Sequence, residues 1–571
     1  MSDIPASPMP EFRMGLSMAG AVSEGAYSAG VLDYLVEALD AWQAARDQGD
    51  PAAPRHALVV EAVAGASAGA QAAALLAIGL RSRFPHVRLR PDEPEPDDVM
   101  DNLLYAAWVR GTGVLDLLGT RDGSDVRFKS VLDGTRLDEV ADLALGTPAR
   151  LPPVEGAGRA WVANPLRLAI TVTNVEGVAL RMKGTASPAS LTALRRHADV
   201  MRFALGGLGA ASGPTALKDE RLLAYPANPA CLSRDWAPLA LAATASAAFP
   251  LMLPPRVVEW FTGAYLPVRV PWPPGISQPA DANFWPLWPQ DVEPTLSYVA
   301  VDGGVLDNDP IDIVGDDLRR HDPDGAGKDP GGNARTNRAL LMIHPLIDKI
   351  TVKPPSTAGA DMAKPHRMLG GLASAIFAGA RGNLVDFALV QGDDCYTRFL
   401  IAPTRPGDPN SPTTAALAGS CLGAFGGYLH DDFRRHDWQL GRNNAQYALR
   451  NHLTLPVHHP LFADWTDEQR EWFAVEGPNG RELPIIPLMP HLFNSAEPVL
   501  AWPARRQPTA TLGGPLDGRL LAVVKGLLRI YLPRCPVGRF LLLAFWRLVV
   551  GKKAREAILA AARKELAAHG L

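Results

Sequence analysis

Cysteine is scarce in this 571-residue chain. Cys231, Cys395, Cys421 and Cys535 are scattered with no CxxC pair, which excludes a disulfide framework and a zinc-ribbon pattern. An excess of one charge is missing too. With 56 Lys and Arg against 60 Asp and Glu, the net charge of −4 excludes a chain that wraps nucleic acid along its whole length. No apolar run approaches the roughly 18 residues of a spanning helix. Met1 to Pro10 carry neither the basic stretch nor the apolar stretch of a signal peptide, so a short disordered leader over 1–11 is expected. No GK[ST] follows the glycines near residue 65, which excludes a Walker phosphate loop. No His/Cys/Asp cluster has metal-ligand spacing, so neither metal nor cofactor is expected. A cytoplasmic setting fits these absences, with export independent of a signal peptide left open. What is abundant is apolar content, 47%, and loop formers: Gly and Pro, 52 each, make up nearly a fifth of the chain. This is the composition of a loop-rich globular protein with enough residues for a large core.

Strand-like and helical patterns alternate near the N-terminus. Phe12–Met18 reads as a strand. Gly25–Ala45 reads as a helix, because Val31, Leu32, Leu35, Val36 and Leu39 recur at helical spacing. Ala57–Ala64 reads as a buried strand and Gln71–Leu80 as a helix. That order predicts an α/β fold with a parallel sheet. Further strands are expected at Leu166–Val175, Leu296–Val301 and Ala339–Ile343, and a small-residue helix at Ala240–Ala248. A Pro/Trp-rich insertion spans 267–294, and a Gly/Asp-rich linker spans Asp322–Asn337. Thr466 with Gln469 makes a capping box.

Between the strand at 57–64 and the helix after it lies Gly65-Ala66-Ser67-Ala68-Gly69, a GxSxG motif. Small neighbours suit a tight strand-to-helix turn that projects the serine hydroxyl, and the helix N-terminus adds partial positive charge. A serine nucleophile needs a base. One candidate is Asp302, at the end of a strand and followed by Gly303 and Gly304, which allow a sharp turn. Another is His344, which follows Ser67 and Asp302 in the chain order of a Ser-His-Asp esterase. The plain reading of each stretch alone is a tight turn, a loop of turn formers and a structural histidine.

Taken together, the GxSxG motif and Asp302-Gly303-Gly304, continuing to Asn308 and Pro310, resemble the patatin-like phospholipase family. Thr244-Ala245-Ser246-Ala247-Ala248-Phe249-Pro250 is similar to the family's Ala/Ser-rich helix, and Ser17 to Leu32 to its N-terminal glycine loop. The resemblance covers about 12–345. It implies a three-layer α/β fold around a central, mainly parallel sheet, with large insertions and a mostly helical C-terminal extension. The expected division is a catalytic domain over 12–350, with insertions near 85–165 and 200–295, a mostly helical extension over 351–514 and a basic amphipathic region over 515–571.

The same resemblance implies a serine acyl hydrolase of lipid esters, of phospholipase A or lysophospholipase type. Ser67 would be the nucleophile and Asp302 the base of a dyad without histidine. Gly20 and Ala21, with Ala68 as a third donor, would form the oxyanion hole, supported by Gly65, Gly69, Gly303 and Gly304. The loop departs from the family pattern. It reads Gly20-Ala21-Val22-Ser23-Glu24-Gly25, so two glycines are replaced and the basic position holds Glu24. A membrane-binding or partner-binding scaffold with a degenerate site is therefore a further reading.

The segment from Arg435 to Asn444, with His436 and Arg442, reads either as a buried polar network or as an anion-contacting surface. His430, just upstream, adds to the polar density. From Pro515 to Leu571 there are 11 Lys and Arg against 3 Asp and Glu, interleaved with apolar residues at helical spacing. This pattern suits peripheral contact with an anionic membrane. The expected partners are a lipid or phospholipid substrate and the membrane surface, with no nucleic acid, and a protein partner or activator left open.

Overall fold

The computed structural model describes residues 9–124, 129–183, 191–213, 215–266, 284–288, 293–320, 336–345, 368, 379–380, 384–405, 415–504, 506, 508–533 and 535–571. Most of the Pro/Trp insertion, most of the Gly/Asp-rich linker and residues 1–8 of the expected leader lie outside the described residues.

One large sheet organises the chain. It contains β1 (Glu11–Met18), β2 (Ala57–Gly65), β3 (Arg159–Lys183), β4 (Leu191–Gly206), β5 (Gly209–Ser212), β6 (Arg221–Ala224), β7 (Arg256–Phe261), β8 (Trp285–Pro286), β9 (Thr295–Asp302), β10 (Arg338–Ile343) and β11 (Arg398–Ile401). Its main path runs β11-β10-β1-β2-β3-β4-β6. The pairs from β11 to β3 are parallel. β4 and β9 run antiparallel to β3, and β7 antiparallel to β9. The longer helices are α1 (Gly25–Asp47), α2 (Ala68–Gly79), α3 (Thr135–Gly146), α4 (Ala237–Ser246), α5 (Ile311–Arg320), α6 (Asp431–Asn451), α7 (Gly513–Tyr531), α8 (Pro536–Phe545) and α9 (Gly551–Ala568).

Both faces of the sheet are covered, which makes three layers. Val60 and Val63 of β2 and Leu341 and Ile343 of β10 join a core shared with α1 and α2. Their sequence neighbours Ala62, Ala64, Leu340 and Met342 pack on the other face against Ile311, Val314 and Leu318 of α5. A strand buried on both faces reads as a near-continuous apolar run rather than an alternation, which is how Ala57–Ala64 reads apart from Glu61, a buried carboxylate paired with Arg13. α6 packs outside α1 at very short range. A Cβ on Gly30 would stand 2.1 Å from the Trp438 carbonyl oxygen, and one on Gly441 2.2 Å from that of Tyr27. Only glycine permits that approach.

β3 is far longer than the expected Leu166–Val175. It extends over 25 residues, and its register with β4 shifts between Thr173 and Val178, where Gly177 has φ of 71°. Its early part contains Asn164 and Pro165 and has no clean period of two, so the pattern understates it. The stretch expected as a mostly helical extension is helical in part. α6 and the capped turn at Asp467–Phe473 are there. So are β11, which extends the main sheet, and a separate antiparallel sheet of β12 (Thr454–Pro456), β13 (Val475–Gly477) and β14 (Gly480–Pro484). Strands of three to five residues are too short to show a period.

Candidate active site

Strand directions bring the candidate residues together. β2 runs parallel to β3 and ends with Gly65 opposite Ile170. β9 runs antiparallel to β3 and ends with Asp302 opposite Val172. Both lie on the edge of β3 away from β4, because Ile170 and Val172 also pair with Met201 and Asp199 of β4. The C-terminal ends of β2 and β9 therefore meet head-on along one edge. β1 and β10 finish level with β2, with Met18 opposite both Gly65 and Ile343. The glycine loop, the serine turn and His344 all emerge at this C-terminal edge, where sites in α/β sheets form.

Ser67 sits at φ 50° and ψ −122°, a conformation that a residue with a side chain rarely adopts. Such strain costs on the order of 1–3 kcal/mol and persists only where the surroundings enforce it. Here Ala66 N–H donates to the Met18 carbonyl (3.2 Å), Gly69 N–H to that of Ala66 (2.7 Å), and Ser67 N–H to Ser246 Oγ (2.8 Å). A Cβ at Gly65 would meet the Gly69 carbonyl at 2.5 Å, and one at Gly69 the Met18 oxygen at 2.3 Å, so the turn closes only with glycine at both positions.

The Ser67 hydroxyl donates to Asp302 Oδ2 at 2.7 Å. Asp302 is buried, and its other oxygen accepts from Gly304 N–H at 2.8 Å within a short turn, Gly303–Val305. Burial pushes the Asp302 carboxyl up to about 7, although the bonds from Ser67 and Gly304 oppose the shift. A Cβ on Gly303 would strike the Thr171 carbonyl oxygen at 2.2 Å, so β3 itself shapes this turn.

The glycine loop lies against the serine: a Cβ on Gly20 would be 3.0 Å from Ser67 Cβ. Of the three expected oxyanion donors, Gly20 N–H is committed to the Asn308 carbonyl at 3.0 Å. Ala21 and Ala68 N–H have no partner among the described residues. Glu24, at the position where the family carries a basic residue, is buried just before α1, whose N-terminus favours negative charge.

His344 does not approach the serine as a base. Its Nε2 faces Asp309, 3.1 Å from Oδ1, and its ring packs edge-on against Phe387. The esterase reading thus lacks the serine–histidine bond that it requires. His430 caps α6, His436 pairs with Asp437 at 2.8 Å, and Arg442 is fully buried among carboxylates, so the 435–444 segment is a buried network. Among the described residues no group of His, Cys, Asp and Glu is placed to hold a metal ion.

Two residues of the site carry roles that motif spelling did not assign. Ser246 accepts from the Ser67 N–H. Asn308 ties the Asp302 turn to the glycine loop through Gly20, whose carbonyl accepts from Asn308 Nδ2 at 3.2 Å. Both stand inside motif stretches, the only signal that pointed to them. Beside the serine turn an apolar cleft is lined by Gln71, Ala74, Leu75 and Ile78 of α2, Ala240, Ala243 and Thr244 of α4, and Trp108 and Tyr428. It begins one helical turn beyond Ser67.

A profile of the patatin-like phospholipase family matches residues 16–175, covering the glycine loop and the serine turn and ending before Asp302. "Uncharacterized protein y4iI" of Sinorhizobium fredii (strain NBRC 101917 / NGR234) is 31% identical over 561 residues, spanning 91% of this chain and 76% of the relative. Among solved structures, VipD from Legionella pneumophila aligns over 98% of this chain and 84% of its own at 10% identity. Its TM-score of 0.21 is too low to bear on fold or chemistry. From its motifs, the family profile and the relative from Sinorhizobium fredii, the chain belongs to the patatin-like phospholipase family of lipid acyl hydrolases.

Proposed function

We propose that the protein cleaves carboxylic ester bonds of phospholipids through a Ser67–Asp302 dyad and an acyl-enzyme. The observation that carries this reading is the strained Ser67 whose hydroxyl donates to the buried Asp302 carboxylate. In acylation Asp302 takes the Ser67 proton as Oγ attacks the ester carbonyl, and then passes it to the departing alcohol. In deacylation Asp302 takes a proton from water, the hydroxyl attacks the acyl carbonyl, and the proton returns to Ser67. The unpaired N–H groups of Ala21 and Ala68 are the donors for the oxyanion, each worth about 3–4 kcal/mol where measured in other hydrolases. The test is mass spectrometry of products from mixed phospholipids together with fluorophosphonate labelling. Released fatty acid and a label on Ser67 are expected, and an unlabelled Ser67 in folded protein would sink the proposal.

The apolar cleft along α2 suits the acyl chain. Ala240→Phe is expected to lower kcat/KM for a long-chain ester about tenfold or more while a short-chain ester changes little, since pocket methylenes are worth about 1–3 kcal/mol each. Equal losses on both esters would place the chain elsewhere.

The C-terminal helices suit the substrate's aggregate state. No helix among the described residues is long and apolar enough to cross a membrane. α8 and the turn after it nevertheless expose large apolar side chains, Phe540 at 71% and Leu548 at 85%. No acidic residue occurs between Asp517 and Glu556. That surface fits the interface of an anionic bilayer. Phe540→Asp with Leu548→Asp is expected to reduce binding to anionic vesicles about tenfold or more, with hydrolysis of a soluble ester unchanged. Binding that survives both changes would exclude this face.

A further inference from the structure

The glycine loop of this chain lacks two of the glycines that its family uses, yet it is fastened at both ends. At one end Gly20 exchanges two hydrogen bonds with Asn308, 3.0 Å from Gly20 N–H to the carbonyl and 3.2 Å back from the side-chain amide. At the other end Ser23 is gripped by a segment about 400 residues away. Ser23 N–H and Oγ–H both donate to the Ala424 carbonyl, at 2.9 and 2.5 Å, and Oγ accepts from Gly427 N–H at 2.9 Å. Between the two grips lie Ala21 and Val22, whose N–H groups have no partner among the described residues.

The gripping segment is itself strained. Leu422, Gly423 and Ala424 follow one another at φ of 55°, 63° and 70°, so three residues in a row, two of them with side chains, hold left-handed conformations. Residues with a Cβ pay for that geometry, and a loop that keeps it needs outside support. The support comes from the C-terminal helix. Leu422 N–H donates to Glu565 Oε1 of α9 at 3.0 Å, and Leu566 packs with Ala418, Cys421 and Trp502 in one buried cluster. Trp502 Nε1–H in turn donates to the His569 carbonyl at 3.1 Å.

We infer that Ser23 is a positioning residue for the oxyanion donors, and that Glu565 supports it from α9 through residues 421–428. Shape that the family obtains from glycine is supplied here by contacts from the distant half of the chain. The C-terminal region would then serve the chemical step as well as the membrane. This inference rests on the reading of Ser67 as the nucleophile.

The test measures kcat on a water-soluble short-chain ester, normalised to the number of Ser67 residues that take a fluorophosphonate. That ratio ignores protein lost to misfolding, so a merely structural role would leave it unmoved. Ser23→Ala is expected to lower it about 10- to 100-fold with KM nearly constant, because a displaced donor costs most in the transition state. Glu565 is exposed, so Glu565→Ala keeps the fold; a drop of about five- to tenfold is expected, and Glu565→Gln, whose amide oxygen still accepts from Leu422 N–H, should restore the rate. Labelled Ser67 with both alanine variants at the wild-type ratio overturns the inference alone. A wild-type protein whose Ser67 takes no label overturns the hydrolase reading and this inference together.

Discussion

Asp302→Asn is expected to lower kcat for ester hydrolysis by roughly 10³-fold or more, and Ser67→Ala by roughly 10⁴-fold or more, while both proteins stay folded. The double variant should lose little beyond Ser67→Ala, because residues that act as a unit are not additive. Among the described residues no other group accepts the Ser67 proton. A variant at either position with the wild-type rate would end the dyad assignment.

Two further results follow from the burial of Asp302. Only its ionised form accepts a proton, and its carboxyl stands at about 7. The profile of log kcat/KM should therefore climb by about one unit per pH unit below neutrality and flatten above it. Stability moves the opposite way. The ordinary carboxyl value is 3.8, so between that pH and about 7 the folded state keeps a proton that the unfolded chain has released. Folding stability then falls as pH rises through that window, by an amount on the order of a few kcal/mol for this group. Asp302→Asn removes the ionisation and should be at least as stable as wild type at pH 8, with a higher Tm. A lower Tm at pH 8 would mean that the carboxylate is better solvated than its position implies.

Arg442→Leu is expected to destabilise the fold by about 3–5 kcal/mol, the usual result of stripping one partner from a buried ion cluster. Arg442 has no exposed surface. It contacts Asp33, also fully buried, and reaches Glu37 at 2.6 Å and Glu497 at 3.0 and 3.1 Å. Without it Asp33 keeps only Asn102 at 2.7 Å and His86 at 3.0 Å, and Glu497 keeps Gln439 at 2.7 Å and Arg88 at 3.4 Å. Three carboxylates would then share a low-dielectric region with too few donors. Against a total stability of about 5–15 kcal/mol, that loss threatens the whole fold. Because the cluster joins α1, α6 and the 86–102 stretch, unfolding should stay cooperative. Urea titration by circular dichroism checks this: a midpoint within error of wild type would show that water reaches the cluster. Arg442→Lys, which keeps the charge but not the fork of donors, should fall between the two.

Much of the site was legible because its chemistry is spelled in short contiguous stretches. A tight turn that carries a nucleophile demands small residues on both sides, so Gly65 to Gly69 announces itself. A carboxylate at a strand end needs the sharp turn that Gly303 and Gly304 make. The choice between Asp302 and His344 was not legible in the residues alone, and only the family resemblance pointed to Asp302. Both lie at strand ends on the same edge, and the neighbours of those strands separate them: β9 pairs with β3 and brings Asp302 to the serine, whereas β10 pairs with β1 and β11 and delivers His344 to Asp309. The commitment of Gly20 N–H to Asn308 and the grip of residues 424–427 on Ser23 were equally hidden, since hydrogen bonds between residues hundreds of positions apart leave no local pattern.

The sequence by itself determined the α/β class, the two motifs and the basic apolar C-terminus, because periodicity, turn chemistry and charge are local properties of a chain. Tertiary structure alone decided which side chain the Ser67 hydroxyl meets, which nearby N–H groups have no partner among the described residues and what holds their loop. Those depend on strand direction, on burial that moves the Asp302 carboxyl to about 7, and on a C-terminal helix whose Glu565 reaches the loop that holds Ser23. The physical reason is distance: a local pattern specifies an element, but only packing specifies which element it faces.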